Sequence, residues 1–334
     1  MMKGFQKNAL ALAVLMASPM ANALTADELA AQFDKISISG FIDMSYYYED
    51  PDDASSDSSA ALDQAEVQIG YAMTDKFSAH ADIEWHDNGD GEEMHLEQMT
   101  INYAFNDQFS VKAGRFLSYS GWETEDPTGL YQYSGTGYGK YFYGAYQQGV
   151  SGLYTGDMFS AALSVVADTG NLKGDGSDFS NPAIETMLAF NPIESVTVKG
   201  FYLADKNDDT GEDISMVNVW ASYAAGPITL AAEYNTSEET PAATATAGGP
   251  GAEADGYLLM ANYAFDKAGI TLRYHAWEVE NDDGDTVEDI SGFTISPSYA
   301  VNDYLLIVAE YRMDTDDATD VDTDSFALEA LVTF

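Results

Sequence analysis

The sequence predicts an all-β fold, a closed antiparallel transmembrane β-barrel of about 16 strands, with about 14 strands as the alternative. Three observations predict it. Short runs alternate between apolar and polar residues, the gaps between them alternate between tight turns and long acidic loops, and the last run ends at Phe334. In a membrane barrel, successive side chains face lipid and lumen, and the turns at one end are shorter than the loops at the other.

The first residues have the features of an export signal. A lysine-containing start leads into an apolar stretch, and Ala21-Asn22-Ala23 has the small residues of a cleavage site, so residues 1–23 are expected to be a signal peptide. Residues 24–35 are predicted to form a short helix, either periplasmic or plugging the barrel, because Thr25 stands at a capping-box position, and a linker is the alternative. The barrel itself is predicted to span residues 36–334.

Beyond the leader, the hydrophobic period is two. In residues 64–71, for example, Ala65, Val67 and Ile69 alternate with polar side chains, which indicates a strand with one apolar face. The predicted strands are 36–48, 62–73, 77–87, 94–105, 109–117, 143–154, 158–167, 182–190, 195–204, 214–224, 228–236, 257–265, 269–279, 290–300, 304–313 and 325–334.

The gaps between these runs fall into two classes. Every second gap is a tight turn rich in Asp, Asn, Gly and Pro and flanked by aromatic residues such as Phe105 and Phe109, whereas the others are longer and acidic. Aromatic residues at one level are typical of a membrane interface. We therefore expect the short turns and both chain termini on the periplasmic side, and the acidic loops outside the cell. The short turns are 74–76, 106–108, 155–157, 191–194, 225–227, 266–268 and 301–303.

Composition excludes several classes of protein. The formal net charge is −43, which makes nucleic acid a poor partner. The sequence has no cysteine, so disulfides, thiol catalysis and thiolate metal sites are ruled out. No run beyond the leader approaches the roughly 18 apolar residues of a membrane helix. A soluble β-sandwich would also alternate, but the charges on the polar face of strand after strand would then occupy its core.

The polar faces of the strands supply candidates for the wall of a pore, because a barrel of about 16 strands is too wide to be filled by its own side chains. Acids and bases facing each other across the lumen would create a transverse field that orients polar solutes. Alternatively, they satisfy one another as pairs within the wall. The acidic candidates are Glu66, Asp82, Glu84, Glu185, Glu233, Glu310 and Glu329, and the basic candidates are Lys112, Lys199, Arg273 and Arg312.

The longest gap covers residues 117–142 and is aromatic as well as acidic. Long ordered loops are often functional. We expect this loop to fold into the lumen as a constriction, with Trp122, Glu123, Glu125 and Asp126 at the narrow point. The alternative is an outer lid or a contact between subunits.

The same region resembles a known family. A Gly-basic-Phe strand end, a Gly-x-Glu turn and a Tyr-Ser pair follow one another at Gly114-Arg115-Phe116, Gly121-Trp122-Glu123 and Tyr133-Ser134. This succession resembles the OmpL-like β-barrel porins. The terminal strand ending at Phe334 is similar to the C-terminal signal of outer-membrane barrel proteins. The resemblance implies an outer-membrane pore for small solutes that carries no cofactor.

Together these features predict a porin of the bacterial outer membrane, a passive diffusion channel for small hydrophilic solutes with a preference for cations. The expected partners are outer-membrane lipid and lipopolysaccharide, small solutes and cations, and a homotrimer is an assembly that porins of this size often form. No dedicated metal site is expected, because the acidic loops at 87–91 and 282–285 do not complete a Ca²⁺-binding pattern.

Two other functions stay open. The first is a structural or adhesion barrel, in which the acidic loops are the working surface and the lumen is plugged. The second is an outer-membrane hydrolase, since His80 and His86 share a polar face with Asp82 and Glu84. The sequence places no serine motif beside these residues, which disfavours the hydrolase.

Overall fold

A computed structural model describes residues 33–87, 92–167, 181–206 and 210–334. Sixteen strands form one closed antiparallel barrel, in which each strand pairs with its neighbours in sequence and β1 pairs with β16. The predicted fold class and the larger of the two strand counts are confirmed. The expected signal peptide, 1–23, lies outside the described residues, and only 33–35 of the expected helix 24–35 are described.

The strands follow one another around the barrel with tight turns and longer loops in alternation. They are β1 Ile36–Pro51, β2 Asp57–Ala72, β3 Phe77–Asp87, β4 Glu92–Ala104, β5 Phe109–Leu117, β6 Tyr146–Thr155, β7 Phe159–Val166, β8 Ala183–Ile193, β9 Val196–Lys206, β10 Asp213–Ala225, β11 Ile228–Glu238, β12 Glu253–Phe265, β13 Ala268–Glu280, β14 Thr286–Asn302, β15 Leu305–Asp316 and β16 Val321–Thr333.

Each strand separates an apolar outer face from a polar inner face. On β1, the outward Ile42 and Met44 are 36% and 41% exposed, whereas the inward Asp43 and Ser45 are 5% and 9% exposed. A carboxylate is therefore more buried than its apolar neighbours, which is the reverse of a soluble domain. An apolar band of this extent on the outside needs an apolar medium around it.

Several strands begin earlier than the sequence predicts, always at the long-loop end. The apolar alternation marks only the part of a strand whose outer face meets hydrocarbon, about 9–11 residues. Beyond that band both faces are polar, so the pattern disappears although the backbone pairing continues. The strands concerned are β2, β12, β14 and β16, which begin at Asp57, Glu253, Thr286 and Val321.

Both described chain ends lie at the short-turn end of the barrel, where β1 and β16 close it. The Gly40 amide donates to the Phe334 carbonyl at 3.1 Å, and the Phe334 amide donates to the Gly40 carbonyl at 3.0 Å. A Cβ at Gly40 would stand 2.1 Å from the carbonyl oxygen of Glu66, so the close approach of the strands here requires glycine. At the same end, the rings of Phe105 and Phe109 stack at 5.4 Å.

Two short α-helices lie in the connections, α1 at Gly139–Phe142 between β5 and β6, and α2 at Pro241–Ala247 between β11 and β12. The α2 helix is capped by Thr240, whose hydroxyl accepts from the Ala243 amide at 3.3 Å. It ends at Gly248, which has a φ of 78°. Among the described residues, no helix has the length and hydrophobicity needed to cross a membrane.

An apolar cluster fills one side of the barrel interior. Tyr138 and Phe142 of the β5–β6 connection are fully buried there, against inward residues of β12 and β13 such as Leu258 and Val279. The ring of Tyr138 lies 5.4 Å from that of Phe142. The alternation in the sequence did not predict apolar inward residues on these strands.

Candidate constriction site in the barrel lumen

The connection between β5 and β6, residues 118–145, folds into the barrel, and we call it the inner segment. It contacts inward side chains on several sides of the lumen. On β13, the Thr271 hydroxyl donates to the Tyr131 carbonyl at 2.6 Å. On β1, the Ser45 hydroxyl lies 3.0 Å from the Tyr133 hydroxyl. The inner segment therefore crosses the lumen instead of covering it from outside.

A buried ion pair attaches the inner segment to β13. Arg273 Nη1 lies 2.7 Å from Glu123 Oε1, and the two side chains are 0% and 7% exposed. Glu123 also accepts from Gln132 Nε2 at 3.0 Å and from the Thr136 amide at 2.7 Å. With its lone pairs occupied in this way, Glu123 holds the segment in shape and does not present a free charge to the lumen.

A second attachment joins the inner segment to β10 and β11. The Trp122 amide donates to Glu233 Oε1 at 2.7 Å. The other oxygen of Glu233 accepts from the hydroxyls of Tyr138 and Tyr143, and Asn218 Nδ2 donates to Oε1 at 2.5 Å. Four donors thus satisfy a carboxylate that is buried in the wall, as a buried charge requires.

A third attachment is made by β15. The Ser134 amide and hydroxyl donate to the two oxygens of Glu310 at 3.1 and 2.5 Å. Arg312 Nη1 donates to the Gly135 carbonyl at 2.7 Å, while its Nε pairs with Asp314 at 2.6 Å. Glu310 and Arg312 of this strand are therefore both engaged by the inner segment.

The two inward lysines are partnered by aromatic rings. Lys112 Nζ lies 4.3 Å from the ring centroids of both Phe116 and Tyr119. Lys199 Nζ lies 5.5 Å from the ring of Trp220. A cation over an aromatic face keeps its charge while it gains a partner, so these amines still contribute positive potential to the lumen.

On the opposite side, the inner segment meets carboxylates. One oxygen each of Asp126, Glu66 and Glu97 lie within 4.8 Å of one another. Burial, and then the charge of Glu66, raise the pKa of Asp126 to about 7. The adjacent Glu125 has its pKa raised by burial and then by Glu84. This contact brings together groups of like charge and differs from the paired contacts with β11, β13 and β15.

The structure places all predicted lining residues on the inner face of the wall. Their role in conduction stays a prediction, as does that of the four inner-segment residues. Buried on the inner face are Glu66, Asp82, Glu84, Glu185, Glu233, Glu310, Glu329 and Arg273, and half-buried are Lys112, Lys199 and Arg312.

Residues 35–334 match the family described as "Putative beta-barrel porin-2, OmpL-like". The chain belongs to this porin family. Its fold and family make the porin an integral barrel of the outer membrane, in agreement with the resemblance seen in the sequence. None of the curated proteins matches the sequence.

Solved porins share the fold at low identity. OmpF of Salmonella typhi, in complex with daunomycin, has a TM-score of 0.70 and 14% identity over 90% of this chain and 97% of that chain. An anion-selective porin from Comamonas acidovorans has a TM-score of 0.68 and 13% identity over 90% of this chain and 99% of that chain. OmpT, an outer membrane protein of Vibrio cholerae in its trimer form, has a TM-score of 0.62 and 14% identity over 90% of this chain and 100% of that chain. Likeness at this level shows the fold alone, so ion preference must be argued from the porin's own residues.

The charges of the porin are segregated around the lumen. We define the acidic arc as the inward carboxylates of five consecutive strands, β16, β1, β2, β3 and β4. The sequences of these strands contain no Lys or Arg. The inward bases stand on β5, β9, β13 and β15. The acidic arc consists of Asp43, Glu66, Asp82, Glu84, Glu97 and Glu329.

Two members of the acidic arc, Asp43 and Glu97, are absent from the lining residues predicted from the sequence, and the position of Glu97 has a specific cause. The pairing of β3 with β4 shifts between Asp82 and Ile83, because Glu97 is an extra residue on β4. A signal was present in the sequence, since the apolar positions change phase between Leu96 and Met99. Such a phase change indicates a bulge and places two successive polar residues on the same face.

Proposed function

We propose that this porin is a passive diffusion channel for small hydrophilic solutes that prefers cations. The acidic arc carries this proposal. Its six carboxylates line one side of the lumen without a Lys or Arg on the same strands, where the titratable bases are histidines such as His80 beside Asp82. On the other side, Arg273 and Arg312 are engaged by the inner segment. Low-dielectric walls concentrate such a field, which raises the local concentration of cations.

Ion preference is tested by the reversal potential of the purified porin in a planar bilayer across a KCl gradient. The expected sign is that of a membrane more permeable to K⁺ than to Cl⁻. Glu84→Gln should reduce the preference, because it removes one charge of the acidic arc. The matched control is Asp317→Asn, which removes one charge from the exposed β15–β16 hairpin. A potential of the opposite sign would refute the electrostatic argument.

We also propose that the inner segment constricts the pore, with Trp122, Glu123, Glu125 and Asp126 near its narrow part. Its attachments to β1, β11, β13 and β15 support this, since a segment fixed across the lumen reduces the free cross-section. Deleting residues 119–135 should raise single-channel conductance. Unchanged conductance of a correctly folded deletion variant would contradict the constriction.

A structural or adhesion barrel is the second candidate, because the apolar cluster of Tyr138, Phe142 and Leu258 fills part of the lumen. Liposome swelling in small sugars separates the two. Swelling is expected for a diffusion channel and is absent for a plugged barrel. Under either function we expect no enzymatic activity, so turnover of lipid or peptide substrates should not exceed that of a detergent blank.

We further propose that the short-turn end faces the periplasm, so that the acidic loops face outward against lipopolysaccharide. Accessibility of a cysteine placed at Asp317 to an impermeant label on intact cells tests this orientation. The trimer form of OmpT supports a homotrimer for this porin as well. Native mass spectrometry in detergent gives the subunit number directly.

A further inference from the structure

Three carboxylates from separate elements meet on one side of the lumen: Glu66 of β2, Glu97 of β4 and Asp126 of the inner segment. One oxygen of each lies within 4.8 Å of the other two. Glu66 is 2% exposed and Glu97 is 7% exposed. Within the described residues, Glu66 Oε1 and Asp126 Oδ1 are buried and have no hydrogen-bond partner.

Among the described residues, no Lys or Arg of the wall neutralises these groups. In the part of the chain that the structure describes, neither Lys nor Arg forms an ion pair with Glu66, Glu97 or Asp126. Buried carboxylates repel one another and are costly unless a positive charge joins them. The Tyr146 hydroxyl hydrogen-bonds to Glu97, but Glu66 Oε1 and Asp126 Oδ1 have no donor among the described residues. Glu123, Glu233 and Glu310 elsewhere in the lumen are each held by donors.

The geometry suits a hard divalent cation. Ca²⁺ takes oxygen ligands at roughly 2.3–2.6 Å, so two oxygens on opposite sides of one ion are about 5 Å apart. A spread of up to 4.8 Å between the three oxygens fits around such an ion. Carboxylates without imidazole or thiolate select Ca²⁺ and Mg²⁺ over softer metals. Glu84 lies against Glu97 and adds a further carboxylate at the edge of the cluster.

We propose that Glu66, Glu97 and Asp126 form a divalent-cation site, best suited to Ca²⁺, that ties the inner segment to the wall formed by β2 and β4. The site is distinct from the acidic surface loops, whose sequence pattern is incomplete. It depends on the fold because its ligands are separated in sequence and converge only inside the barrel.

The site would complete the attachment of the inner segment. Arg273 and Arg312 hold the segment on the β13–β15 side. On the β2–β4 side the contact is between carboxyl groups, which repel one another when they are ionised. A bound divalent ion converts this repulsion into a bridge and removes negative charge from the acidic arc. In the conducting porin, it should therefore lower both conductance and cation preference.

The binding experiment uses the full-length porin in detergent, stripped with EDTA, and isothermal titration with CaCl₂ and then with MgCl₂. We expect one saturable Ca²⁺ site, tighter than the diffuse binding of the surface acids. Glu97→Gln and Asp126→Asn should each weaken it by about tenfold or more. Glu329→Gln is the matched control, because it removes another buried carboxylate of the acidic arc outside the cluster. Absence of a saturable site in the wild type, or an equal loss in Glu329→Gln, would overturn the proposal.

A second measurement separates this site from the proposed pore. Ca²⁺ should lower the single-channel conductance of the wild type relative to EDTA, and Asp126→Asn should not respond. This conductance effect rests on the proposed channel function, whereas the titration does not. A porin that binds Ca²⁺ without conducting refutes the channel and supports the site. A porin that conducts without a saturable Ca²⁺ site refutes the site alone.

Discussion

Replacing Arg273 by Gln should release the inner segment from β13. The guanidinium is fully buried, and besides Glu123 it reaches the Ser134 carbonyl at 2.5 Å and the Thr294 hydroxyl at 3.1 Å. Removing one member of a buried pair leaves the other charge uncompensated and costs about 3–5 kcal/mol. At 1.4 kcal/mol per factor of ten, the population of the detached segment should rise roughly a hundredfold to a few thousandfold.

Limited trypsin digestion measures this population. Lys140 is the sole Lys or Arg within the inner segment, residues 118–145, so cleavage there gives two fragments of defined mass. When opening is fast relative to cleavage, the cleavage rate follows the open population. Arg273→Gln should therefore be cut far faster at Lys140 than the wild type. Lys199→Gln is the control, since it removes an inward cation that lies over Trp220 and has no ion pair in the described residues.

A double-mutant cycle tests whether the ion pair between Arg273 and Glu123 holds the inner segment. Glu123→Gln removes the charge that Arg273→Gln leaves unpaired, so the double variant should open less than the product of the two single effects predicts. Independent effects of the two substitutions would show that the ion pair is not what holds the segment. Cleavage of Arg273→Gln at the wild-type rate would show that the other attachments suffice without β13.

Three further outcomes follow from the fold. Leu258→Ala should destabilise the apolar cluster by about 2–5 kcal/mol, which trypsin would report as faster cleavage at Lys140. Unchanged cleavage would show that the cluster does not hold the inner segment in place. Gly256→Ala should displace α1, because a Cβ there would lie 2.6 Å from Phe142; a wild-type conductance would argue against this. Gly40→Ala should impair barrel closure, measured as loss of the heat-modifiable band on a gel, and a normal folded band would refute the steric argument.

The strand order was predictable because lipid imposes it. Every strand must present an apolar face to the lipid, so the period of two is continuous wherever the strand contacts hydrocarbon. It ends where water meets both faces, which is why the start of β14 at Thr286 was placed too late. The predicted strand 143–154 began too early, because the aromatic Tyr143 extends the alternating pattern of the sequence. In the structure Tyr143 packs with Tyr138 inside the barrel, and β6 begins at Tyr146.

The inward direction of the site residues was predictable, but their partners were not. Parity placed Arg273 and Glu233 on the inner face correctly. That Arg273 meets Glu123 depends on how a loop of residues 118–145 folds across the lumen, and no local pattern encodes such a contact. The sequence predicted Glu123 at the narrow point, but it did not predict the four donors that hold its carboxylate.

The reciprocal bonds between Gly40 and Phe334 have a kinetic consequence. The first and last strands of the barrel are neighbours in space and lie almost the whole chain apart, so their pairing has the largest loop-closure cost of any strand pair. Until it forms, the growing sheet has two open edges that can pair with other chains. The barrel can close only when β16 is present, so a chain that lacks β16 remains an open sheet.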